Sequence, residues 1–186
     1  PELPATTLDD YCYLSMFNNC SRLLATPALP AMELAPYCYS QMFHNCSSLQ
    51  TSSLLPATEL KEGCYQLMFS LCALTQAPVL PANTLVKNCY REMFSYCSNL
   101  KFIKSLETDI SAENCTTNWV EDVAESGTFV RDENMNNWAI DSPNGIPINW
   151  LVVPPIAKFK GLYFENLTSN EMTVSITKTG NPSYAL

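Results

Sequence analysis

The stretch Leu29-Pro-Ala-Met-Glu-Leu34-Ala-Pro-Tyr-Cys38-Tyr-Ser-Gln-Met42-Phe43-His-Asn-Cys46-Ser-Ser-Leu49 decides how the chain is read, because it recurs. Leu-Pro stands at 3, 29, 55 and 80, Cys-Tyr at 12, 38, 64 and 89, Met-Phe at 16, 42, 68 and 93, and a second Cys at 20, 46, 72 and 97. Each column steps by 26, 26 and 25 residues, and the missing residue falls between Cys72 and Leu74. A decayed fifth unit is traced by Leu106, Ile110 and Cys115, with no Met-Phe after it. A unit this small cannot bury its own apolar face, so successive units must stack.

Each unit has two halves. Leu34, Cys38, Met42 and Cys46 recur every four residues, which predicts one apolar face of a helix. Thr7, Thr58 and Thr84 stand where its N-cap belongs. The second half runs from Leu23, Leu49, Leu74 or Leu100 to the next Leu-Pro and is rich in Ser, Thr and Ala. It predicts a short strand closed by a proline that cannot extend the pairing. The fold class expected is therefore an α/β repeat solenoid.

Nine cysteines cannot all pair within one chain. A zinc site would want pairs two to four residues apart, whereas the spacing within a unit is eight and the single His44 sits in a variable column. Stacked units would bring equivalent Cα atoms within reach of a disulfide, but parallel Cβ vectors place the sulfurs poorly. The favoured reading is two internal columns of free thiols acting as small apolar groups.

The run M-F-x-x-C-S-x-L, present from Met16 to Leu23, Met42 to Leu49 and Met93 to Leu100, resembles the A-F-x-x-C-x-x-L signature of BspA-like (treponemal-type) leucine-rich repeats. Met replaces Ala, and each unit carries about three extra residues ahead of it. The longer pattern is similar to that of leucine-rich-repeat surface proteins of gut Bacteroidales and of phages that infect them. The resemblance implies a right-handed solenoid with a concave sheet and convex helices or turns. It also implies adhesion or ligand binding outside the cell, and it supplies no catalytic residue.

Three segments are expected: a repeat array over 1–115, a C-terminal cap over 116–153, and a linker with a β-hairpin over 154–186. Phe129, Met135, Trp138, Ile146, Ile148 and Trp150 have the bulk to close an open apolar end, and 127–131 and 149–153 read as short strands. Val153-Pro-Pro155 reads as a stiff hinge. Phe159 to Leu167 and Met172 to Thr177 alternate as two strands joined around Ser169-Asn170, with a turn at Gly180-Asn-Pro182. They predict the start of a further β module, with a possible carrier domain after Leu186.

A net charge of -8 without a basic run argues against nucleic acid. No apolar run is long enough for a membrane helix, and Pro1-Glu2-Leu3-Pro4 does not read as a signal peptide. Catalysis, cofactors and metals are not expected: a lone His, solvated carboxylate pairs such as Asp9-Asp10 and Glu121-Asp122, and five scattered glycines offer no recognised constellation. The Asn-x-Ser/Thr matches at Asn19, Asn45 and Asn114 arise from the repeat itself, and a fourth lies at Asn166.

Positions that vary while their neighbours hold are where a ligand would be read. On the strand side these are Leu24, Gln50, Thr51, Ser53, Thr75, Gln76, Lys101, Phe102 and Lys104. Lys101, Phe102 and Lys104 make the one compact basic and aromatic group of an acidic array. The function expected is a non-enzymatic extracellular module on a bacterial surface that binds host protein or glycan. The alternative is a structural or receptor-binding part of a phage particle, located on the virion.

Overall fold

A computed structural model describes residues 3–135, 138–141 and 143–154, and the backbone alone of 159–168 and 171–178. Residues 1–154 form one compact unit and 155–186 a second. The expected α/β leucine-rich-repeat solenoid is overturned: among the described residues there is no helix, and the only sheet within the array and cap is a small parallel one. It joins β1 (Phe102–Lys104), β2 (Thr128–Val130) and β3 (Leu151–Val153) in that order.

The segment expected to be helical is a run of turns that shares its hydrogen bonds between two partners. In the second unit the N–H groups of Tyr37, Tyr39, Gln41, Phe43 and Asn45 donate to carbonyls of Glu62, Cys64, Gln66, Met68 and Ser70 in the third, at 2.8–3.1 Å. The intervening Cys38, Ser40, Met42, His44 and Cys46 donate three residues back, to Ala35, Tyr37, Tyr39, Gln41 and Phe43. A helix would return every N–H four residues back along its own chain. Here half of them belong to the next unit.

Each four-residue cycle contains one residue of positive φ: Tyr37, Gln41 and Asn45 in the second unit, at 55°, 54° and 56°. Each is the third residue of its turn, as a type II turn demands. The same three columns are positive in every unit, from Tyr11, Ser15 and Asn19 to Asn114, Asn118 and Asp122. A strict spacing of four would drift about 40° per step around a 3.6-residue helix. It is instead the period of this turn cycle, so Cys38, Met42 and Cys46 all point inward and are fully buried. Thr7 and Thr84 cap nothing: they form parallel bridges to Glu33 and Asp109 in the next unit.

Left-handed backbone costs an L-residue roughly 1–2 kcal/mol, and a cross-unit hydrogen bond returns about 1 kcal/mol net. Three of the former against five of the latter leave the backbone near balance, so side chains decide whether the stack is stable. They do so in columns. Tyr13, Tyr39, Tyr65 and Tyr90 stack at centroid spacings of 5.7–6.2 Å, and Phe17, Phe43, Phe69 and Phe94 at 5.4–5.8 Å. Burying a residue of this size is worth ~1.5–3 kcal/mol. Gly63, at φ +59°, lies under the Tyr37 ring, where any side chain would collide with it.

All nine cysteines are free. Those of the second column donate S–H to the Phe carbonyl of the preceding unit: Cys46 to Phe17, Cys72 to Phe43 and Cys97 to Phe69, at 3.0–3.1 Å. Burial pushes the Cys38 thiol up to about 11 and those of Cys89 and Cys97 up to about 12. The deletion after Cys72 removes the turn that Ser47-Ser48 and Ser98-Asn99 make in the neighbouring units. Among the described residues, no backbone hydrogen bond joins 49–56 to 74–81, so the strand side is interrupted there.

The ladder continues beyond Cys115. The N–H groups of Glu92, Phe94 and Tyr96 donate to Thr117, Trp119 and Glu121, which puts Trp119 and Val120 in the Met-Phe columns. The fifth unit therefore has a second half, with Trp119 fully buried. Trp138 stacks on it at 5.3 Å, and Phe129 meets both indoles edge-on. Of the residues expected to close this end, Phe129, Met135, Trp138, Ile146 and Trp150 are buried, whereas Ile148 is exposed. In the second compact unit, β4 (Phe159–Thr168) and β5 (Glu171–Lys178) pair antiparallel, Tyr163 opposite Ser175. The turns expected at Ser169-Asn170 and Gly180-Asn-Pro182 and the second proline of the hinge lie outside the described residues.

Two outcomes follow from this architecture. Leu71 holds φ 62° while 40% exposed, one unit beyond Asn45, whose side-chain amide donates to Asn19 Oδ1 at 2.7 Å. Leu71→Asn should raise the unfolding free energy by about 1 kcal/mol in a urea titration, because Asn tolerates left-handed backbone. In native protein, a thiol reagent should react quickly with the exposed Cys12 and Cys20 only, and with the buried seven after unfolding.

Candidate functional site

The strand side holds the residues singled out for ligand contact. Its backbone ladder sets their order: Ala25 bridges Thr51, Gln76 bridges Phe102, and Phe102 pairs with Thr128, which pairs with Leu151. Leu24, Gln50, Thr75 and Lys101 form the column just ahead, where the Leu24 carbonyl accepts from Gln50 N–H and that of Thr75 from Lys101 N–H, both at 3.0 Å. All four are exposed. In β1, Ile103 points inward and Phe102 and Lys104 are half-buried on the opposite face.

The structure brings these residues together in two groups. Leu24, Gln50 and Thr51 occupy the first two units, and Thr75, Gln76, Lys101, Phe102 and Lys104 the next two, with the interrupted ladder between them. Ser53 has a different occupation: its N–H donates to Thr26 Oγ1 at 2.7 Å and its hydroxyl to the Leu54 carbonyl at 3.4 Å. It ties two units together.

Neither principal cleft coincides with these residues. One, of about 410 Å³, is lined by Asn118, Val120, Glu121, Asp122, Asp141 and Pro143 among others, and the other, of about 360 Å³, by Thr7, Leu8, Met32, Glu33, Glu59 and Lys61 among others. The candidate surface is thus a ribbed face set apart from both clefts. That shape suits an extended partner better than a small molecule, whose sites are concave. Among the described residues, no group of three or more His, Cys, Asp or Glu could hold a metal ion, and no helix is long and apolar enough to cross a membrane.

Charge is organised on the turn side. Lys87 lies between Glu62 and Glu113 of the neighbouring units, at 3.7 and 3.6 Å. These are exposed pairs of small energetic weight, and their value is in keeping like charges from stacking directly. Tyr37 donates its hydroxyl to Glu62 Oε1 at 3.0 Å in the same region.

One polar group inside the stack escaped the sequence reading. Leu80 bridges Ser105 and Thr84 bridges Asp109, so Ser105 and Glu107 continue the columns of Leu80 and Ala82. Reading Leu106 as the column leucine set this segment off by one residue. Glu107 is fully buried where Ala31, Ala57 and Ala82 are buried in the other units. Neither of its carboxylate oxygens has a hydrogen-bond partner, and the Ser105 and Tyr90 hydroxyls are likewise buried and unpartnered. Burial pushes the Glu107 carboxyl up to about 7. Burial, then the charge of Glu107, pushes the Tyr90 phenol well up. The spacing of 25 from Ala82 to Glu107 was the available signal.

No family model, curated protein or solved structure matches this chain.

Glu107 sets a pH dependence. Its folded pKa lies above its unfolded value, so the folded state binds more protons between about pH 4.5 and 7. Stability is greatest below that window and falls as pH rises through it, by on the order of 3 kcal/mol in total. Glu107→Gln should abolish this component of the slope in urea unfolding followed from pH 4.5 to 8. Glu107→Ala, which restores the residue of the other units, should also raise the urea midpoint at pH 8.

Proposed function

We propose that this chain is a non-enzymatic binding module that reads host protein or glycan outside the cell, through the exposed strand-side face of its stacked units. The observation that carries the reading is the ordered display of Gln50 and Thr51, Thr75 and Gln76, and Lys101 and Phe102 on successive units. Backbone pairing spaces Gln76 and Phe102 at about 4.8 Å, the second and third units are held in order by the turn side instead, and Gln50, Thr51, Thr75, Gln76 and Lys101 are exposed. Core columns repeat because packing dictates them; these positions vary because it does not. A partner presenting groups at a similar repeat, such as an extended peptide or a linear glycan, is met by several units at once.

Lys101 and Lys104 beside Phe102 are the preferred anchor. On a chain of net charge -8, they give an anionic, partly apolar ligand its best place to dock. The likeness of M-F-x-x-C-S-x-L to repeats of bacterial surface proteins supports the assignment of role and location. Buried thiols of raised pKa are slow nucleophiles, which suits a free-cysteine stack to an extracellular setting.

The test is capture on a panel of sulfated and sialylated glycans and extracellular-matrix proteins. Lys101→Glu with Lys104→Glu should lower capture of anionic members at least tenfold, about 1.4 kcal/mol, with unchanged thermal unfolding. Gln76→Ala should weaken the same interaction less. Equal capture by all forms sinks the reading.

A further inference from the structure

The small sheet near the C-terminal end of the stack has two faces, and the core uses one of them. Ile103, Phe129 and Val152 lie opposite one another in register and pack inward. Their neighbours point the other way. Phe102, Thr128 and Leu151 form one outward row, and Lys104, Val130 and Val153 a second. Members of a row stand about 4.8 Å apart, and the rows, two residues apart along each strand, about 6.6 Å.

Phe102, Val130, Leu151 and Val153 are large and apolar, yet none joins the hydrophobic core. Leu151 is 62% exposed, and Phe102, Val130 and Val153 are half-buried. A short strand with one face in water alternates apolar with polar residues. Here β2 reads Thr-Phe-Val and β3 Leu-Val-Val, so the outward side carries apolar groups that closing the stack does not require. Apolar side chains scattered singly on a surface need no explanation, but these are adjacent in two paired rows and bordered by charge.

Lys101 and Lys104 supply that charge. Neither forms an ion pair with a described residue, unlike Lys87 and Arg91. Asp132, two residues beyond Val130, is turned to its own loop: one carboxylate oxygen accepts from the N–H and the side-chain amide of Asn134, at 2.8 and 3.1 Å.

The mixture of groups selects the occupant. Sugar hydroxyls laid on Leu151, Val130 and Val153 would lose water without gaining hydrogen bonds. An anionic membrane needs a larger basic cluster than two lysines on a chain of net charge -8. An extended polypeptide meets both demands, because aliphatic and carboxylate side chains on one of its faces recur at the spacing of the two rows.

We propose that the outward face of β1, β2 and β3 is the docking platform for an extended acidic segment of a partner protein. Leu, Ile or Phe side chains of that segment pack on Phe102, Leu151 and Val153, and its carboxylates pair with Lys101 and Lys104. The platform rests on the strand-side reading proposed above, narrows its ligand to protein, and brings the C-terminal cap into the binding surface.

The probe is a labelled synthetic peptide that repeats Leu-Ser-Glu-Ser three times, which sets Leu and Glu on one face when extended. Fluorescence anisotropy with the whole chain at low salt should show saturable binding, weakened at least tenfold when Leu is replaced by Ser, or Glu by Gln, in the peptide. Leu151→Ser and, independently, the similarly shaped Val153→Thr should each weaken peptide binding at least fivefold with thermal unfolding unchanged. Two results overturn the proposal and leave the strand-side reading intact, provided that capture of sulfated glycan is still lost in Lys101→Glu with Lys104→Glu. One is the absence of saturable peptide binding, and the other is binding indifferent to both Leu151→Ser and Val153→Thr. Peptide and glycan capture that are both indifferent to the lysine reversal remove the strand-side reading itself, and this platform with it. Self-association that rises with concentration in sedimentation and disappears in Leu151→Ser makes a second copy the occupant, and it too overturns the proposal.

Discussion

Alternation of the backbone N–H groups between two partners is the constraint on which the rest of this structure depends. Along each turn run one N–H closes a local turn and the next reaches the neighbouring unit, as with Cys38 to Ala35 and Tyr39 to Cys64. A helix is impossible once half of the donors leave the segment, and a strand is impossible while the other half stay within it. Positive φ at every fourth residue is the geometric cost, and it is met by Asn, Asp and Gly at some positions and by Tyr, Gln, Leu and Glu at others. Those latter residues have no intrinsic preference for that conformation. They adopt it because the stack around them supplies hydrogen bonds and ring contacts that the isolated unit lacks.

From that alternation follows a division of labour between the faces. The turn side contributes the cross-unit hydrogen bonds and the aromatic columns, and it runs without interruption across the one-residue deletion after Cys72. The strand side is held less regularly, with isolated bridges and a single three-stranded sheet near the C-terminal end of the stack. It can therefore tolerate variation in the residues that point outward. The tolerance reaches inward only once: Ser105 and Glu107 replace Leu and Ala in the core columns of the fifth unit, and that polar group is left without partners.

Much of the arrangement was legible in the sequence, and the errors are instructive. The period, the columns of Cys, Tyr, Met and Phe and the stacking of units could be read because identical side chains at fixed spacing must occupy equivalent environments. The helix was misread because apolar residues four apart fit both a helical stripe and a four-residue turn cycle. Hydropathy does not distinguish the two. Unit five was misaligned because its register depends on where single residues are lost and gained: the step is 25 from Leu80 to Ser105 and 26 from Cys89 to Cys115. With Trp119 and Val120 in place of Met-Phe, nothing in composition marked the continuation.

What the sequence determined by itself is that this chain repeats, that its units stack in parallel, and which side chains lie on the inside. Periodicity alone carries that information, since a small repeated apolar face can only be buried against its own copies. What only the tertiary structure decided is the local backbone. Whether Tyr39 N–H bonds four residues back or crosses to Cys64 is settled by whether a neighbouring unit offers a carbonyl there, and no residue-level preference encodes the presence of that neighbour. The buried carboxyl of Glu107 has the same origin: its surroundings are defined by what the adjacent units provide.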